Sequence, residues 1–233
     1  MPPTLILDLD GTLVDSVPDL MAALNRLVTE RGLAPFDRAE VSVMVGDGVR
    51  TLVARAFAAR GAEFDESALT GFIADYEDNA AVETQPFQGV EQTLGAFAEA
   101  GWRLAVCTNK PAEATRSLLD ALGLASWFEA VGAGDSFPTR KPDPGHLLAT
   151  LSEAGGSIDA AIMVGDHAND VRAANAAGIP CIFAAWGYGP RMMASGAAAI
   201  AQRFCDLPAL AEMLLRLGAD ARYRINAPEV SQQ

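Results

Sequence analysis

Short apolar runs alternate with stretches of helical periodicity along most of this chain. The runs are Thr4 to Leu9, Arg103 to Cys107, Phe128 to Val131, Ala160 to Val164 and Cys181 to Ala184. That alternation predicts an α/β protein, a Rossmann-like parallel sheet core covered by helices. Ala161-Ile162-Met163-Val164 is apolar at every position, as expected of a strand buried on both faces. Between the runs, Leu118, Leu119 and Leu122 fall at helical spacing within Ala112 to Leu122. Ala168 to Ala177 reads as an alanine-rich helix stopped by Gly178 and Pro180.

The interval 16–86 departs from this alternation. Ser16-Val17-Pro18-Asp19 has capping-box spacing ahead of Leu20, Leu24, Leu27 and Val28, which predicts a helix start. Helical stretches follow at Arg50 to Arg60 and Glu66 to Val82, and the interval shows no convincing strand. The expected organisation is a core made of 1–15 and 87–233, with 16–86 inserted as a helical cap. Pro86 and Gly89 mark the return to the core. From about 218 to 233 the chain is polar and without apolar periodicity, which predicts a loosely held tail.

Composition narrows the partners. A chain of 233 residues, half of them apolar, can bury a substantial core. A net charge of −13 argues against nucleic acid or an anionic membrane, since both reward a basic face. An anionic substrate would therefore need a local positive site. No apolar run reaches membrane-spanning length, and Met1-Pro2-Pro3-Thr4 lacks a basic leader, so a cytoplasmic protein is expected. Cys107, Cys181 and Cys205 lack metal-type spacing. Fifteen arginines stand against two lysines, Lys110 and Lys141, which raises the question of whether those two occupy places that need a compact ammonium.

The chemistry starts at Asp8-Leu9-Asp10-Gly11-Thr12, just past the first apolar run. Two carboxylates one residue apart face opposite ways on a continuing strand, but Gly11 permits a turn that brings both into one crevice. Clustered negative charges call for a cation or a shared proton. Three more motifs sit at or after strand ends: Thr108-Asn109-Lys110, Lys141-Pro142-Asp143 and Gly165-Asp166-His167-Ala168-Asn169-Asp170. Ligands of open α/β sheets bind outside those ends, so the four motifs should converge. Asp8, Asp10 and Asp166 are hard oxygen donors suited to Mg²⁺. Thr108 offers a hydroxyl and a strand-end amide to phosphate oxygens, and Lys141 offers a point charge. His146 and His167 are the only histidines, so no zinc set exists, and no glycine-rich nucleotide loop is present.

The four motifs, in this order, resemble the haloacid dehalogenase superfamily of phosphotransferases over nearly the whole chain. Within it, Asp8 to Ser16, Val45-Gly46-Asp47-Gly48 and Thr108-Asn109-Lys110-Pro111 look like phosphoglycolate phosphatases. The resemblance implies a Mg²⁺-dependent phosphatase with Asp8 as nucleophile and Asp10 as acid and base. It implies metal ligation by Asp8, Asp166 and the Asp10 carbonyl, and phosphate binding by Thr108, Asn109 and Lys141. Asp170 would orient metal-bound water or Lys141, or would simply be a helix N-terminal aspartate. Gly48 and Arg50 in the cap are expected to select the substrate, Arg50 by binding a carboxylate; a solvated surface arginine is the alternative. Lys110 is either a substrate contact or a solvated lysine at a helix start. His167 departs from the small hydroxyl residue common in relatives. The expected substrate is a small anionic phosphate ester, 2-phosphoglycolate first, a sugar phosphate second, with a phosphomutase as the less favoured class. Oligomeric state is left open.

Overall fold

The computed structural model describes residues 1–79 and 81–226. In chain order these form β1 (Thr4–Leu7), β2 (Val14–Asp15), α1 (Val17–Glu30), α2 (Arg38–Ser42), α3 (Val49–Ala59), α4 (Glu66–Asn79) and β3 (Gln85–Pro86). Then follow α5 (Val90–Glu99), β4 (Arg103–Cys107), α6 (Ala112–Ala121), β5 (Ala130–Gly132), α7 (Pro144–Glu153), β6 (Ala161–Gly165), α8 (Ala168–Ala177), β7 (Cys181–Ala184), β8 (Ala199–Ala201) and α9 (Leu207–Asn226).

Six strands form one parallel sheet in the order β5-β4-β1-β6-β7-β8. Successive side chains on a strand face opposite ways, and each face here has its own apolar layer. Leu5, Leu7, Leu104, Val106, Ile162 and Val164 pack with Val90, Leu94 and Phe97 of α5 and Leu207 and Ala211 of α9. Ile6, Ala105, Cys107 and Met163 face the other way, onto Leu147 and Leu151 of α7 and Val171 and Ala174 of α8. This two-sided burial explains why the strand runs read as continuously apolar. β8 was not expected from the sequence. It is three residues long and sits at the sheet edge, too short to give a pattern.

A separate apolar cluster unites α1 to α4, built on Leu24, Val28, Val53, Phe57 and Phe72. The chain enters and leaves this helical insertion through β2 and β3, which pair antiparallel as Val14↔Pro86 and Asp15↔Gln85. The interval 16–86 therefore does hold a short strand, contrary to the sequence reading.

One further expectation is corrected. Ser16 gives α1 no side-chain cap, and its hydroxyl is buried without a partner. Asp19 does not close a capping box, because the second crossing segment competes for it. Its buried carboxylate accepts from the amides of Val82, Glu83 and Thr84 and from Thr84 Oγ1 at 2.7 Å. α9 continues to Asn226, with Leu214 packed on the core ahead of the polar stretch. Residues 227–233 lie outside those described.

Candidate active site

β1 ends at Leu7, although Asp8 N–H still donates to Val164 O on β6. The chain then curls: Thr12, Leu13 and Val14 all donate to Leu9 O, and Gly11 takes φ +85°, a conformation that favours glycine. A Cβ at Gly11 would also collide with Asp166 and the Tyr188 ring. The turn places Asp8 and Asp10 on one cavity at the carboxyl ends of β1 and β4, shared with Thr108, Asn109 and Lys110.

Lys141 is the buried centre of this end of the sheet. Its Nζ lies 2.8 Å from Asp8 Oδ1 and 2.7 Å from Asp170 Oδ1, and it donates to Cys107 O. Burial alone would pull its charge off, but Asp170 and Asp8 outweigh that and hold its pKa well above the ordinary lysine value. Asp8, Asp166 and Asp170 bring oxygens within 4.8 Å of one another, all buried. Burial, against the pull of Lys141, raises the Asp8 carboxyl to about 6. Burial and the charges of Asp8 and Asp170 raise Asp166 to about 7. Three hard-oxygen groups that strain to stay ionised beside one ammonium fit a hard divalent cation.

Each partner is held by second contacts. Asp166 accepts from Thr12 Oγ1 at 3.0 Å and from the amides of Tyr188 and Gly189. Asp170 combines two alternatives that the sequence left open. One oxygen meets Lys141 and the other accepts from His167 N–H, closing a capping box at the start of α8. His167 caps that helix through Nδ1, which accepts from Asn169 N–H at 3.2 Å. The imidazole thus supplies the acceptor that a small hydroxyl residue would, and Gly46 (φ +115°) makes room, since a Cβ there would strike the ring.

Two expectations change, those on the Thr108 amide and on Arg50. The Thr108 amide continues the sheet ladder to Gly132 O, so only its hydroxyl is left toward the cavity. Asn109, expected to act mainly through its backbone, donates from Nδ2 to Gly46 O and Lys141 O, tying the cap turn to the lysine loop. Arg50 does not face the cavity. Its guanidinium, half exposed, pairs with Glu66 at 2.7 Å and lies over the Phe64 ring, while its neighbours Gly48, Val49 and Leu52 line the wall. Arg50 is the second residue of α3, and its position on the first turn of that helix directs it outward. Lys110, by contrast, is buried. Its Nζ donates to Tyr76 Oη at 2.7 Å and sits 3.3 Å from Asp10 Oδ1.

Sequence reasoning missed Tyr76, Asn169 and the segment Trp186-Gly187-Tyr188-Gly189. Asn169 Nδ2 donates to Asp47 Oδ1 at 2.6 Å, a second tie to the cap turn. Trp186 Nε1 donates to Thr12 O, and the Tyr188 hydroxyl accepts from Ser16 N–H at 2.7 Å. A Cβ at Gly187 would meet Asp166 and Gly11 O, and one at Gly189 would meet Asp166 O. The alternation of aromatics and glycines after an apolar run was the available signal.

Comparison with known proteins agrees with this geometry. Residues 5–184 match the family model described as haloacid dehalogenase-like hydrolase. A phosphoglycolate phosphatase of Agrobacterium fabrum is 41% identical over 225 residues, covering 94% of this chain and 97% of the relative. One of Rhodospirillum rubrum is 45% identical over 216 residues, covering 89% and 90%. The crystal structure of a predicted phosphoglycolate phosphatase from Haemophilus somnus superposes with a TM-score of 0.83 at 28% identity, covering 90% of this chain and 97% of that one. On the extent of that match and the convergence of all four motifs, this chain belongs to the haloacid dehalogenase-like hydrolase family.

Proposed function

We propose that this protein is a Mg²⁺-dependent phosphatase that hydrolyses 2-phosphoglycolate to glycolate and phosphate. The observation that carries the reading is the buried arrangement of Asp8, Lys141, Asp166 and Asp170, with Asp8 opening onto a cavity lined by residues of 16–86. Asp8 attacks phosphorus, the bond to the leaving oxygen breaks, and Asp10 protonates that oxygen. Asp10 then takes a proton from water, which attacks the aspartyl-phosphate and frees Asp8. Asp8 needs no base, because it is ionised at neutral pH beside Lys141. Thr108 Oγ1 and Lys141 hold phosphoryl oxygens, and positioning plus charge neutralisation is most of what such a transfer requires. Mg²⁺ held by Asp8, Asp166 and the Asp10 carbonyl would neutralise phosphoryl charge. Closure of 16–86 over the site excludes water while the leaving group departs.

The relatives in Agrobacterium fabrum and Rhodospirillum rubrum are named phosphoglycolate phosphatases, which supports this choice of substrate. The test is phosphate release with Mg²⁺ from 2-phosphoglycolate, sugar phosphates, phosphoserine and nucleotides, with Asp8→Asn as the blank. A kcat/KM for phosphoglycolate about 100-fold above the others, roughly 2.7 kcal/mol of transition-state discrimination, is expected. A peak on a sugar phosphate would replace the substrate, and activity in Asp8→Asn would remove the mechanism.

A further inference from the structure

The proposed substrate carries a carboxylate as well as a phosphoryl group, and the cavity has to tell that tail from a neutral one. Arg50 is turned away and paired with Glu66. Among the described residues lining the cavity, Lys110 is the single cation; Leu20, Val45, Val49, Leu52, Phe72 and Ile73 supply apolar walls. Lys110 comes from the core, directly after the phosphate-binding Thr108 and Asn109. Tyr76 comes from α4 of the insertion, where its ring stacks on Phe72 at 5.7 Å.

The hydrogen bonding of this pair leaves room for a ligand: two bonds are long and share one carboxylate, and one proton is unspent. An ammonium has three protons. Lys110 Nζ makes one short bond, to Tyr76 Oη at 2.7 Å, and two long ones, 3.3 and 3.4 Å, to the two oxygens of Asp10. Because Tyr76 Oη accepts from Nζ, its own proton is left to donate. Two donors 2.7 Å apart, one of them charged, match the paired oxygens of a carboxylate. The tail they favour is a monoanion: Asp10 and Glu77 line the same cavity, so a dianionic tail would meet two carboxylates with one ammonium to offset them.

We propose that Lys110 and Tyr76 together form the carboxylate-binding subsite, assembled only when the cap is closed, and that they select short phosphate monoesters with a carboxylate tail. The proposal rests on the phosphatase reading above and names the residues that decide its substrate. Lys110 and Tyr76 are both specificity residues that touch substrate; Tyr76 also positions Lys110, by hydrogen bond and by its ring, whose centroid is 4.4 Å from Nζ.

The experiment compares 2-phosphoglycolate, ethyl phosphate and phosphoethanolamine, three tails of similar length with negative, neutral and positive ends. For the parent, kcat/KM should rank in that order. In Lys110→Met the ratio of phosphoglycolate to ethyl phosphate should fall at least 30-fold, an order-of-magnitude expectation from removing one charged hydrogen-bond partner, about 2 kcal/mol. In Tyr76→Phe it should fall several-fold, chiefly through KM. Should Lys110→Met be too slow to assay, the same ratio is read as Kd by calorimetry in Asp8→Asn against Asp8→Asn/Lys110→Met. A ratio that survives Lys110→Met, in rate or in Kd, overturns the subsite. No phosphate release from any ester overturns the phosphatase reading instead, and a parent that prefers ethyl phosphate overturns the carboxylate preference while leaving the phosphatase intact.

Discussion

Replacing Lys141 by Met tests the electrostatics on which the site depends. Methionine keeps much of the length and removes the charge. What remains is Asp8, Asp166 and Asp170 within 4.8 Å of one another, buried and without the ammonium that now stands 2.7–2.8 Å from two of them. Removing one partner of a buried ion pair costs about 3–5 kcal/mol, because the surviving charge is neither solvated nor paired. For a chain of this size, roughly 2–4 °C of Tm accompanies each kcal/mol, so a drop of about 6–20 °C is expected in EDTA at pH 8. Three companion results separate this cause from a packing defect. The loss should shrink when the pH is lowered to 6, where carboxyls already raised by burial take up protons. Asp170→Asn should restore part of it in the double variant, a coupling that independent sites would not show. Mg²⁺ should bind Lys141→Met at least as tightly as the parent while turnover falls by 10³ or more, an order expected when a phosphoryl-binding charge is lost. Thermal melts in EDTA at pH 8 and pH 6, calorimetric Mg²⁺ titration and phosphate release together read all of these. A Lys141→Met protein with the parental Tm in EDTA, or one that binds Mg²⁺ more weakly, would refute the reasoning.

Other outcomes follow from the same geometry. Arg50→Ala should leave the substrate profile within about twofold of the parent, since a surface pair with Glu66 contributes little; a tenfold change in the preference for phosphoglycolate would contradict it. Asp166→Asn should abolish the Mg²⁺ response yet stabilise the metal-free protein at pH 8. The folded Asp166 carboxyl, at about 7, holds its proton more tightly than an unfolded one, so its presence lowers stability as pH rises from about 4 to 7. Equal pH–stability curves for the two proteins in EDTA would count against this. Asp19→Ala orphans the buried amide and hydroxyl of Thr84, which at roughly 1–3 kcal/mol per donor should cost about 2–6 kcal/mol. The Val82 and Glu83 amides lie on exposed residues and can turn to water. Chemical denaturation measures it, and a cost under about 0.5 kcal/mol would mean that Asp19 does not hold the second crossing.

The sequence by itself determined the sheet except for its edge strand β8, because strands buried on both faces must be apolar at every position, and Leu5 to Leu7 and Ile162 to Val164 are. It also located the four motif loops, since each is a contiguous turn whose residue types carry their own chemistry. What it could not determine was everything that depends on which side of a helix or loop faces a neighbour distant in the chain. Arg50 and Lys110 are both cations near a helix start, one solvated and one buried, and local pattern does not distinguish them. Asp19 has capping-box spacing, but four donors from 63 to 65 residues away make a better partner than its own helix. Tyr76, Asn169 and Tyr188 matter only because the folded chain lays them against Lys110, Asp47 and Ser16. Periodicity is a property of neighbours along the chain, whereas a binding site is built from groups that only tertiary packing brings within hydrogen-bonding distance.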